Sequence, residues 1–473
     1  MKISFPQDFP DRLSPMLVKE LRQGLRTRSF IGVFLTLQIV LGIILLGAGS
    51  AATSDQAGST ISNIIFIFFS IAVIIIQPMR GMTALSSEIK GNTIDMMVLT
   101  RLSAWRIVAG KWSALVSQSA LILVTIIPYL ILRYFFGGMN LIGEVVMLIL
   151  IFISSATLTA ITVGLSASPS VILRSILPMV GIPLGAYAAL MMILFSGMGG
   201  GGSVFDFFSL ESTESKIAIS LYITACLYYG FFLLSIGTSL IAPHAENYST
   251  LRRVVACFVT IAAAAIGIIY CDDVDVMLVV YYLIFAPIFT ISLTEFGTLV
   301  PPVVQKFNRY GILGRFLGIF LLPTWATGVF FCYLLTCIAG ISLFLVRDSY
   351  INNDSIVVGM GLLSGMVFPA LLVNLFKMYG PSRVSNYILF SVASGIIALT
   401  LMGIAESLSS KGLLWLFVWI PPVSMTMTDG GGINDDALLV ATAFFNMLYF
   451  AIFICMAARN YRRSIRELNH SGS

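Results

Sequence analysis

Apolar runs of about 20 residues alternate along the chain with short polar stretches, and the charged residues cluster in those stretches. A helix of that length crosses the hydrocarbon core of a bilayer, where each backbone polar group must be bonded within its own segment. The pattern therefore predicts an all-α polytopic membrane protein. Its twelve predicted spans are Phe30–Gly49, Ile61–Met79, Trp112–Leu132, Leu141–Leu165, Ile172–Phe195, Ile217–Ile241, Val255–Tyr270, Val276–Phe296, Phe316–Val346, Ile356–Phe376, Tyr387–Ala405 and Leu438–Ala458.

The predicted spans form two halves of six, joined by the polar segment Pro243–Arg253. Two of them have unusual lengths. Val255–Tyr270 is short, and Phe316–Val346 is too long for one crossing, so we expect the latter to begin as an interfacial helix. Within the tenth span, Gly361 and Gly365 favour close packing against another helix.

The positions of lysine and arginine predict the orientation in the membrane. With a cytoplasmic N-terminus, only Arg133, Lys216, Arg347 and Lys411 lie on the outer side, and all other basic residues lie inside. The apolar segment Leu413–Met427 contains two consecutive prolines, and a full crossing there would place the arginines after the last span outside. We therefore expect it to be re-entrant or surface-lying on the outer side, with both termini cytoplasmic.

The composition agrees with this class of protein. Of 473 residues, 58% are hydrophobic and 10% are charged, whereas soluble proteins carry about 25% charged residues. The polar and partly acidic start lacks the features of a cleaved signal peptide. Most of the six cysteines lie in apolar runs and the only histidines are His244 and His470, so the sequence predicts neither a metal site nor a cofactor in this chain.

An amphipathic helix is predicted ahead of the first span, over Leu13–Arg28. Its apolar residues fall near one helical face, and basic residues cover most of the rest. Such a helix is expected to lie in the membrane interface with its basic side chains near the headgroups. The alternative is a helix that docks on the loops of the chain itself.

A charged stretch, Ser86–Lys111, separates the second and third spans. At its centre Asn92 is a candidate N-cap, and Asp95 follows three residues later, where its carboxylate reaches the cap amide and the positive helix end. The helix behind the cap is too apolar to remain in water. It must press on the membrane surface or enter a groove on another protein.

Two chemistries are poorly supported by the sequence. The predicted spans have almost no ionisable residues in their interiors, which argues against a proton or sodium relay. Polar Gln38, Gln77 and Gln118 are expected to form interhelical hydrogen bonds. No phosphate-binding loop is present, because the nearest candidate, Gly110-Lys111, is followed by Trp112 where serine or threonine is needed. The chain is therefore not expected to be an enzyme, and energy from ATP would have to come through a cytoplasmic partner.

Two motifs resemble those of the membrane subunits, or permeases, of ABC transporters of the type-2, mostly exporting, class. The first, Pro15 followed by Lys19-Glu20-Leu21-Arg22, is similar to the N-terminal interfacial elbow helix of that family. The second lies in the inner loop between the second and third spans. Its matching residues are Glu88, Asn92, Thr93, Ile94, Asp95, Leu99, Thr100, Leu102, Ser103, Trp105, Arg106, Ile107, Val108, Gly110 and Lys111.

The resemblance implies that this loop carries a coupling helix, which docks on a separate ATP-binding subunit. The implied coupling residues are Glu88, Asn92, Thr93, Ile94, Asp95, Met97, Val98 and Leu99. The implied elbow-helix residues are Lys19, Glu20 and Arg22. Two positions depart from the family pattern: Arg101 stands where proline is usual, and Lys90 stands where an acidic residue is common.

The likeness covers residues 13–245, and beyond Arg253 it is weak. The loop Thr298–Arg315 lacks the pattern of the first loop, in which an acidic residue is followed by a capped helix. The implied domains are a cytoplasmic N-terminus with its elbow helix (1–29), a six-span permease-like unit (30–245), a second six-span unit (246–458) and a basic cytoplasmic tail (459–473). The implied function is that of a permease subunit in the plasma membrane. Its partners would be an ATP-binding subunit, which carries the ATP, and the lipid bilayer. A second permease copy would be a further partner if one chain does not complete the pore, and no nucleic acid is expected.

Two alternatives remain open from the sequence. One is a membrane scaffold that transports nothing, and the other is a carrier driven by a gradient. Substrate-stimulated ATPase activity argues against the scaffold, and transport that survives ATP depletion favours the carrier. The sequence does not identify a substrate.

Overall fold

The structure, a computed structural model, describes residues 15–51, 57–92, 102–134, 141–187, 208, 210–243, 246–270, 273–295, 299, 301–346, 353–378, 382–408, 411–428 and 435–471. Every regular element among them is a helix, as the apolar pattern predicts. The chain divides into two compact units, Met1–Ala242 and Pro243–Ser473, which are called unit 1 and unit 2 below.

Eleven helices among the described residues are long and apolar enough to cross a membrane. Many of their large apolar side chains are exposed, among them Leu46 at 80% and Phe258 at 72%, and on a membrane span such side chains meet lipid. The chain is therefore a multi-pass membrane protein. Eleven of the twelve predicted spans coincide with these helices. The remaining one, Ile172–Phe195, is helical over Ile172–Tyr187, and residues 188–195 lie outside the described part.

Unit 1 starts with the short amphipathic helix and continues with long apolar helices. They are α1 (Pro15–Leu25), α2 (Arg28–Ala51), α3 (Ala57–Ser70), α4 (Ser86–Lys90), α5 (Ala104–Tyr134), α6 (Leu141–Ser166), α7 (Ile172–Tyr187) and α8 (Thr213–Ile241). Between α3 and α4 the chain remains helical through a π-helical turn, Ile71–Ile76, and a 3₁₀ turn, Arg80–Thr83. The second span therefore continues to Lys90 rather than ending at the predicted Met79.

The core of unit 1 forms where α2, α3, α5 and α6 meet. Leu41, Ile65, Phe69, Ile122 and Ile126 are completely buried there. Each lies on the one face of its helix that turns away from lipid, and large apolar side chains on the other faces are exposed. In a bilayer, burying these groups gains packing contacts rather than escape from water, so shape complementarity holds the helices together.

Helices α6 and α8 approach each other closely through two glycines. An added Cβ at Gly164 would lie 2.2 Å from the carbonyl oxygen of Leu233, and one at Gly237 would lie 2.8 Å from Cα of Gly164. Backbone atoms cannot move aside as a flexible side chain can. A side chain at either position would therefore separate the two helices, as expected for small residues at a membrane helix interface.

Gly164→Ala is expected to lower the thermal stability of the detergent-solubilised protein by several degrees, because the methyl group costs about 1–3 kcal/mol of overpacking. Gly32→Ala is the matched control, since an added Cβ there meets nothing within 4 Å. On an exposed helix that change should be neutral or stabilising by about 0.5–1 kcal/mol. Unfolding curves followed by tryptophan fluorescence would compare the two variants, and equal melting temperatures would contradict the close contact.

Unit 2 alternates long apolar helices with four short ones. Its helices are α9 (Ser249–Tyr270), α10 (Val274–Thr294), α11 (Pro301–Asn308), α12 (Gly311–Leu321), α13 (Trp325–Leu345), α14 (Asn353–Leu375), α15 (Arg383–Ser407), a 3₁₀ helix (Lys411–Phe417), α16 (Pro421–Thr426) and α17 (Asp435–Ser471). Helix α14 packs against α10, α15, α16 and α17, and α13 packs against α9, α10, α12 and α17. These two helices form the centre of the unit.

The overlong predicted span Phe316–Val346 consists of two helices. The chain leaves the helical conformation at Leu322–Thr324, and the hydroxyl of Thr324 caps α13 by accepting from the backbone N–H of Thr327 at 3.3 Å. The first helix, α12, is only 11 residues long and is too short to cross a bilayer. This agrees with the expected interfacial start, and it shortens the span to Trp325–Leu345.

The segment Leu413–Met427 does not form a spanning helix. It contains most of a 3₁₀ helix and the six-residue α16, and Pro421 takes the first position of α16, where its missing N–H would have no partner in any case. Gly361 lies against α16, since an added Cβ would fall 2.4 Å from Cγ of Met425. The packing prediction is therefore confirmed for Gly361. It is wrong for Gly365, where a Cβ meets nothing within 4 Å.

Candidate functional site

One lysine joins the two sequence motifs in unit 1. The ammonium nitrogen Nζ of Lys111 on α5 lies 3.1 Å from Oε1 of Glu20 on α1 and 3.0 Å from Oε1 of Glu88 on α4. Lys111 is 6% exposed, and both carboxylates are largely covered. Three helices that are distant along the chain are thus joined by one buried cation, and this group is called the Lys111 cluster below.

Close packing of α1 on α5 buries this cation. Met16 is buried against Gly110, where an added Cβ would lie 3.0 Å from Cγ of Met16. Glu20 follows Met16 by four residues and so lies on the same face of α1, one turn further on. Lys111 directly follows Gly110 and therefore emerges beneath α1, where water is excluded and an unpaired ammonium group would be costly.

A second polar contact holds the other end of α1. The guanidinium of Arg80 donates from Nη2 to Oγ1 of Thr27 at 2.9 Å, and from Nη1 to Oε1 of Gln77 at 2.8 Å and to Oε1 of Gln118. It also lies over the ring of Phe30, with 5.5 Å between Cζ and the ring centroid. Arg80 therefore connects the 3₁₀ turn, the α1–α2 junction and α5.

The two contacts are stacked along α5. Gln118 lies seven residues after Lys111, which is two turns of helix on the same face, and Gly24 lies four residues after Glu20. Gly24 leaves room for the Gln118 side chain, because an added Cβ would meet its Nε2 at 2.1 Å and the amide would have to move. Gln118 therefore forms an interhelical hydrogen bond, as predicted from the sequence. The sequence did not identify Arg80 as its partner.

The predicted site residues separate into four groups. Glu20 and Glu88 meet at Lys111. Lys19 and Arg22 are exposed on the opposite side of α1. Asn92 adopts a left-handed conformation with φ of 53°, and its N–H donates to the carbonyl of Ile89 at 3.2 Å at the end of α4. The remaining coupling residues lie outside the described residues: Thr93, Ile94, Asp95, Met97, Val98 and Leu99.

Sequence reasoning missed Arg80 and the role of Lys111. Arg80 follows the predicted end of the second span, so it was assigned to a loop, whereas the helix continues through it. Lys111 was matched only as part of a motif. A lysine that opens an apolar run of 20 residues must find an anion or reach water, and the sequence offers Glu20, Glu88 and Asp95 on neighbouring segments.

Unit 2 has its own buried cation at one end of its helices. Arg253 on α9 is 0% exposed, and its Nη1 donates to the carbonyl oxygens of Phe320 and Leu322, each at 2.7 Å. Its Nη2 donates to the carbonyl of Thr324 at 3.0 Å and lies 2.7 Å from Oε2 of Glu295 on α10. These carbonyls belong to the end of α12 and the break after it, where the regular helical hydrogen-bond pattern is interrupted. Arg253 therefore holds the break between α12 and α13.

The arrangement of these groups favours structure over catalysis. In both units a buried cation is matched by carboxylates and backbone oxygens, which is the pattern that fixes helices relative to one another. No group of three or more histidine, cysteine, aspartate or glutamate residues in the described part of the chain could hold a metal ion. Comparison with protein-family models, curated proteins and solved structures finds no match to the chain.

Proposed function

We propose that the chain is the permease subunit of an ABC transporter of the exporting type-2 class, driven by a separate ATP-binding subunit. The observation that carries the proposal is the Lys111 cluster. Glu20 comes from the elbow-like motif, and Glu88 and Lys111 come from the two ends of the coupling-like motif. Two motifs that suggested the same family independently are thus in direct contact.

This contact gives the coupling loop a mechanical connection to the spans. Residues 92–99, the proposed docking helix, follow α4 in the sequence after Gly91, and α4 is tied through Glu88 to Lys111 on α5. Because Lys111 also holds Glu20, a displacement of the docking helix would pull on α1 and α5 together. ATP-driven closure of the partner would then be transmitted to the membrane-spanning helices through this buried ion pair rather than through a flexible loop.

The proposal includes an orientation and an assembly. The Lys111 cluster would face the cytoplasm, where ATP is available, with α1 as the interfacial elbow helix and both termini on that side. The protein would lie in the plasma membrane as two six-span halves. In this arrangement the positively charged loops are cytoplasmic, as the distribution of lysine and arginine predicts.

Binding to an ATPase tests the proposal. The tagged chain would be purified from its native membranes in mild detergent, after in-membrane crosslinking, with ATPase assay and mass spectrometry of the co-purifying proteins. We expect an ATP-binding subunit to co-purify. We also expect the double variant Ile94→Asp, Val98→Asp to reduce its recovery at least about ten-fold, because a buried carboxylate in an apolar groove costs more than 1.4 kcal/mol.

The matched control keeps both positions apolar, as Ile94→Leu, Val98→Ile, and should retain the partner and its activity. If the double variant Ile94→Asp, Val98→Asp recovers as much crosslinked ATPase as the wild type, residues 94 and 98 do not take part in docking. Absence of any ATPase from crosslinked membranes in which the chain remains folded would contradict the proposed function itself.

A further inference from the structure

Unit 2 contains an apolar cavity that the proposed function does not use. It has a volume of about 340 Å³ and lies between α10, α13 and α14. Its walls include Leu278, Phe285, Ala339, Phe344 and Met360. Hydroxyl-bearing residues also line the cavity, namely Tyr281, Tyr282, Thr336 and Ser355, but most of the wall is apolar. The hydroxyls of Tyr281 and Thr336 are already bonded, to Ser342 and to the carbonyl of Tyr333.

The cavity occupies one half of the membrane-spanning layer. On α10 it extends from Val274 to Phe285, a rise of about 16 Å, whereas the hydrocarbon core is about 30 Å thick. On α13 it is lined by residues of the second half of the helix, from Thr336 to Phe344, and on α14 by residues from Ser355 to Met366. Because α13 runs opposite to α10 and α14, those parts lie at the same membrane face.

Its size indicates a chain-like occupant. An engineered apolar cavity of about 150 Å³ accommodates benzene, so about 340 Å³ provides room for roughly a dozen carbon atoms. The surroundings of such a cavity within a bilayer are hydrocarbon chains. The material that can fill it without bringing polar groups into apolar walls is therefore one acyl chain that enters from the adjacent leaflet.

The charged residues at the membrane-face end of the cavity indicate which lipid headgroup would be favoured there. Val274, which lines the cavity, stands between Asp273 and Asp275, and Ser355 follows Asp354. All three aspartates lie at the ends of the helices that form the cavity. A negatively charged headgroup would be repelled there, whereas an amine would be attracted.

We propose that this cavity binds one acyl chain of a zwitterionic phospholipid whose headgroup carries an amine. The proposal is independent of the permease assignment, because it rests only on α10, α13 and α14. A lipid held there would fill the space between the two central helices of unit 2 and one leaflet of the bilayer, and would stay with the protein when it is extracted.

Photolabelling in defined nanodiscs tests the site directly. The wild-type protein would be reconstituted in phosphatidylethanolamine and phosphatidylglycerol, with a trace of phosphatidylethanolamine that carries a diazirine along one acyl chain. After irradiation, peptide mass spectrometry should find adducts concentrated on residues 274–285, 336–344 and 355–366. Adducts spread evenly over all lipid-facing helices would overturn the proposal.

A variant that fills the cavity sharpens the test. Gly340 lines the cavity, and an added Cβ there meets nothing within 4 Å, so Gly340→Leu should place its side chain in the space without a clash. Because the leucine side chain takes space that the acyl chain would fill, the chain loses dispersion contacts with the cavity walls, and a loss of about 1.4 kcal/mol is enough to lower labelling of these segments about ten-fold. Gly403→Leu on α15 is the matched control, because it is equally open but lies outside the cavity.

The headgroup is tested by competition. Replacing phosphatidylethanolamine with phosphatidylglycerol in the nanodisc should raise labelling by the trace probe, because the anionic lipid competes poorly. Equal competition by both lipids would overturn the assigned headgroup. If Gly340→Leu lowers the melting temperature by more than Gly403→Leu does, the milder variant Gly340→Ala is used instead. The positions of the adducts on the wild-type protein then still decide whether an acyl chain occupies the cavity.

Discussion

Arg253→Met is expected to destabilise unit 2 by about 3–5 kcal/mol, which corresponds to a fall in melting temperature of about 10 °C or more in detergent. The guanidinium is fully buried and satisfies three carbonyl oxygens as well as Glu295. Methionine matches its apolar length but donates nothing. The carbonyl of Phe320 would then lose its guanidinium donor, whereas those of Leu322 and Thr324 would keep bonds from nearby backbone N–H groups. Glu295 would also lose a counter-charge in a largely buried site.

An exposed arginine provides the matched control. Arg463 on α17 is 80% exposed and pairs only one turn along the same helix, with Glu467, at 2.9 Å. Arg463→Met should change stability by less than about 0.5 kcal/mol. Unfolding curves by tryptophan fluorescence compare the two variants, and similar melting temperatures would show that Arg253 does not hold the break between α12 and α13.

Glu295→Gln separates the two contributions at this site. The amide keeps an acceptor for Arg253 and Ser249 but removes the negative charge. We expect a smaller loss than for Arg253→Met, because the carbonyl contacts of the guanidinium survive. If Glu295→Gln loses as much stability as Arg253→Met, the ion pair contributes more to stability here than the hydrogen bonds from the guanidinium to backbone oxygens.

The spans could be predicted because the bilayer imposes one requirement on every crossing. A run such as Leu141–Leu165 must be long, apolar and helical whatever its neighbours are, so local sequence is sufficient. The break at Thr324 was also visible in principle, since a proline followed by threonine is a helix start signal inside an overlong run. The π-helical turn Ile71–Ile76 was not, because its sequence, IAVIII, is as apolar as a regular helix.

Contacts between helices required the fold. The charge of Lys111 and the carboxylates of Glu20 and Glu88 were evident from the sequence, but their convergence depends on how α1 lies across α5. In the same way, Arg253 was assigned to a polar joint, although it is buried. In the sequence, a positively charged residue at the end of a span is interpreted as a loop residue. The fold shows that Arg253 is enclosed, because the carbonyl oxygens of Phe320 and Leu322 lie against its guanidinium.

Lys111→Met is expected to release α1 from the rest of unit 1. Without the ammonium group, Glu20 and Glu88 would face each other in a largely dry site without their shared counter-charge, at a cost of about 3 kcal/mol. Because the α1 contact is the part that can separate without disrupting a span, the loss should appear there first. Trypsin cleavage at Lys19 and Arg22 on α1 and at Arg26 directly after it, all of which are exposed, should accelerate well before the whole protein unfolds.

Removing the two carboxylates should reverse most of this effect. In the triple variant Lys111→Met, Glu20→Gln, Glu88→Gln, no charge is left without its partner, so trypsin resistance and melting temperature should return toward the wild type. Lys90→Met on the exposed side of α4 is the control for loss of a lysine at this membrane face. If the triple variant is cleaved as fast as Lys111→Met, packing of the lysine stem rather than its charge holds α1. If Lys111→Met resists trypsin as the wild type does, the cluster does not connect the two motifs.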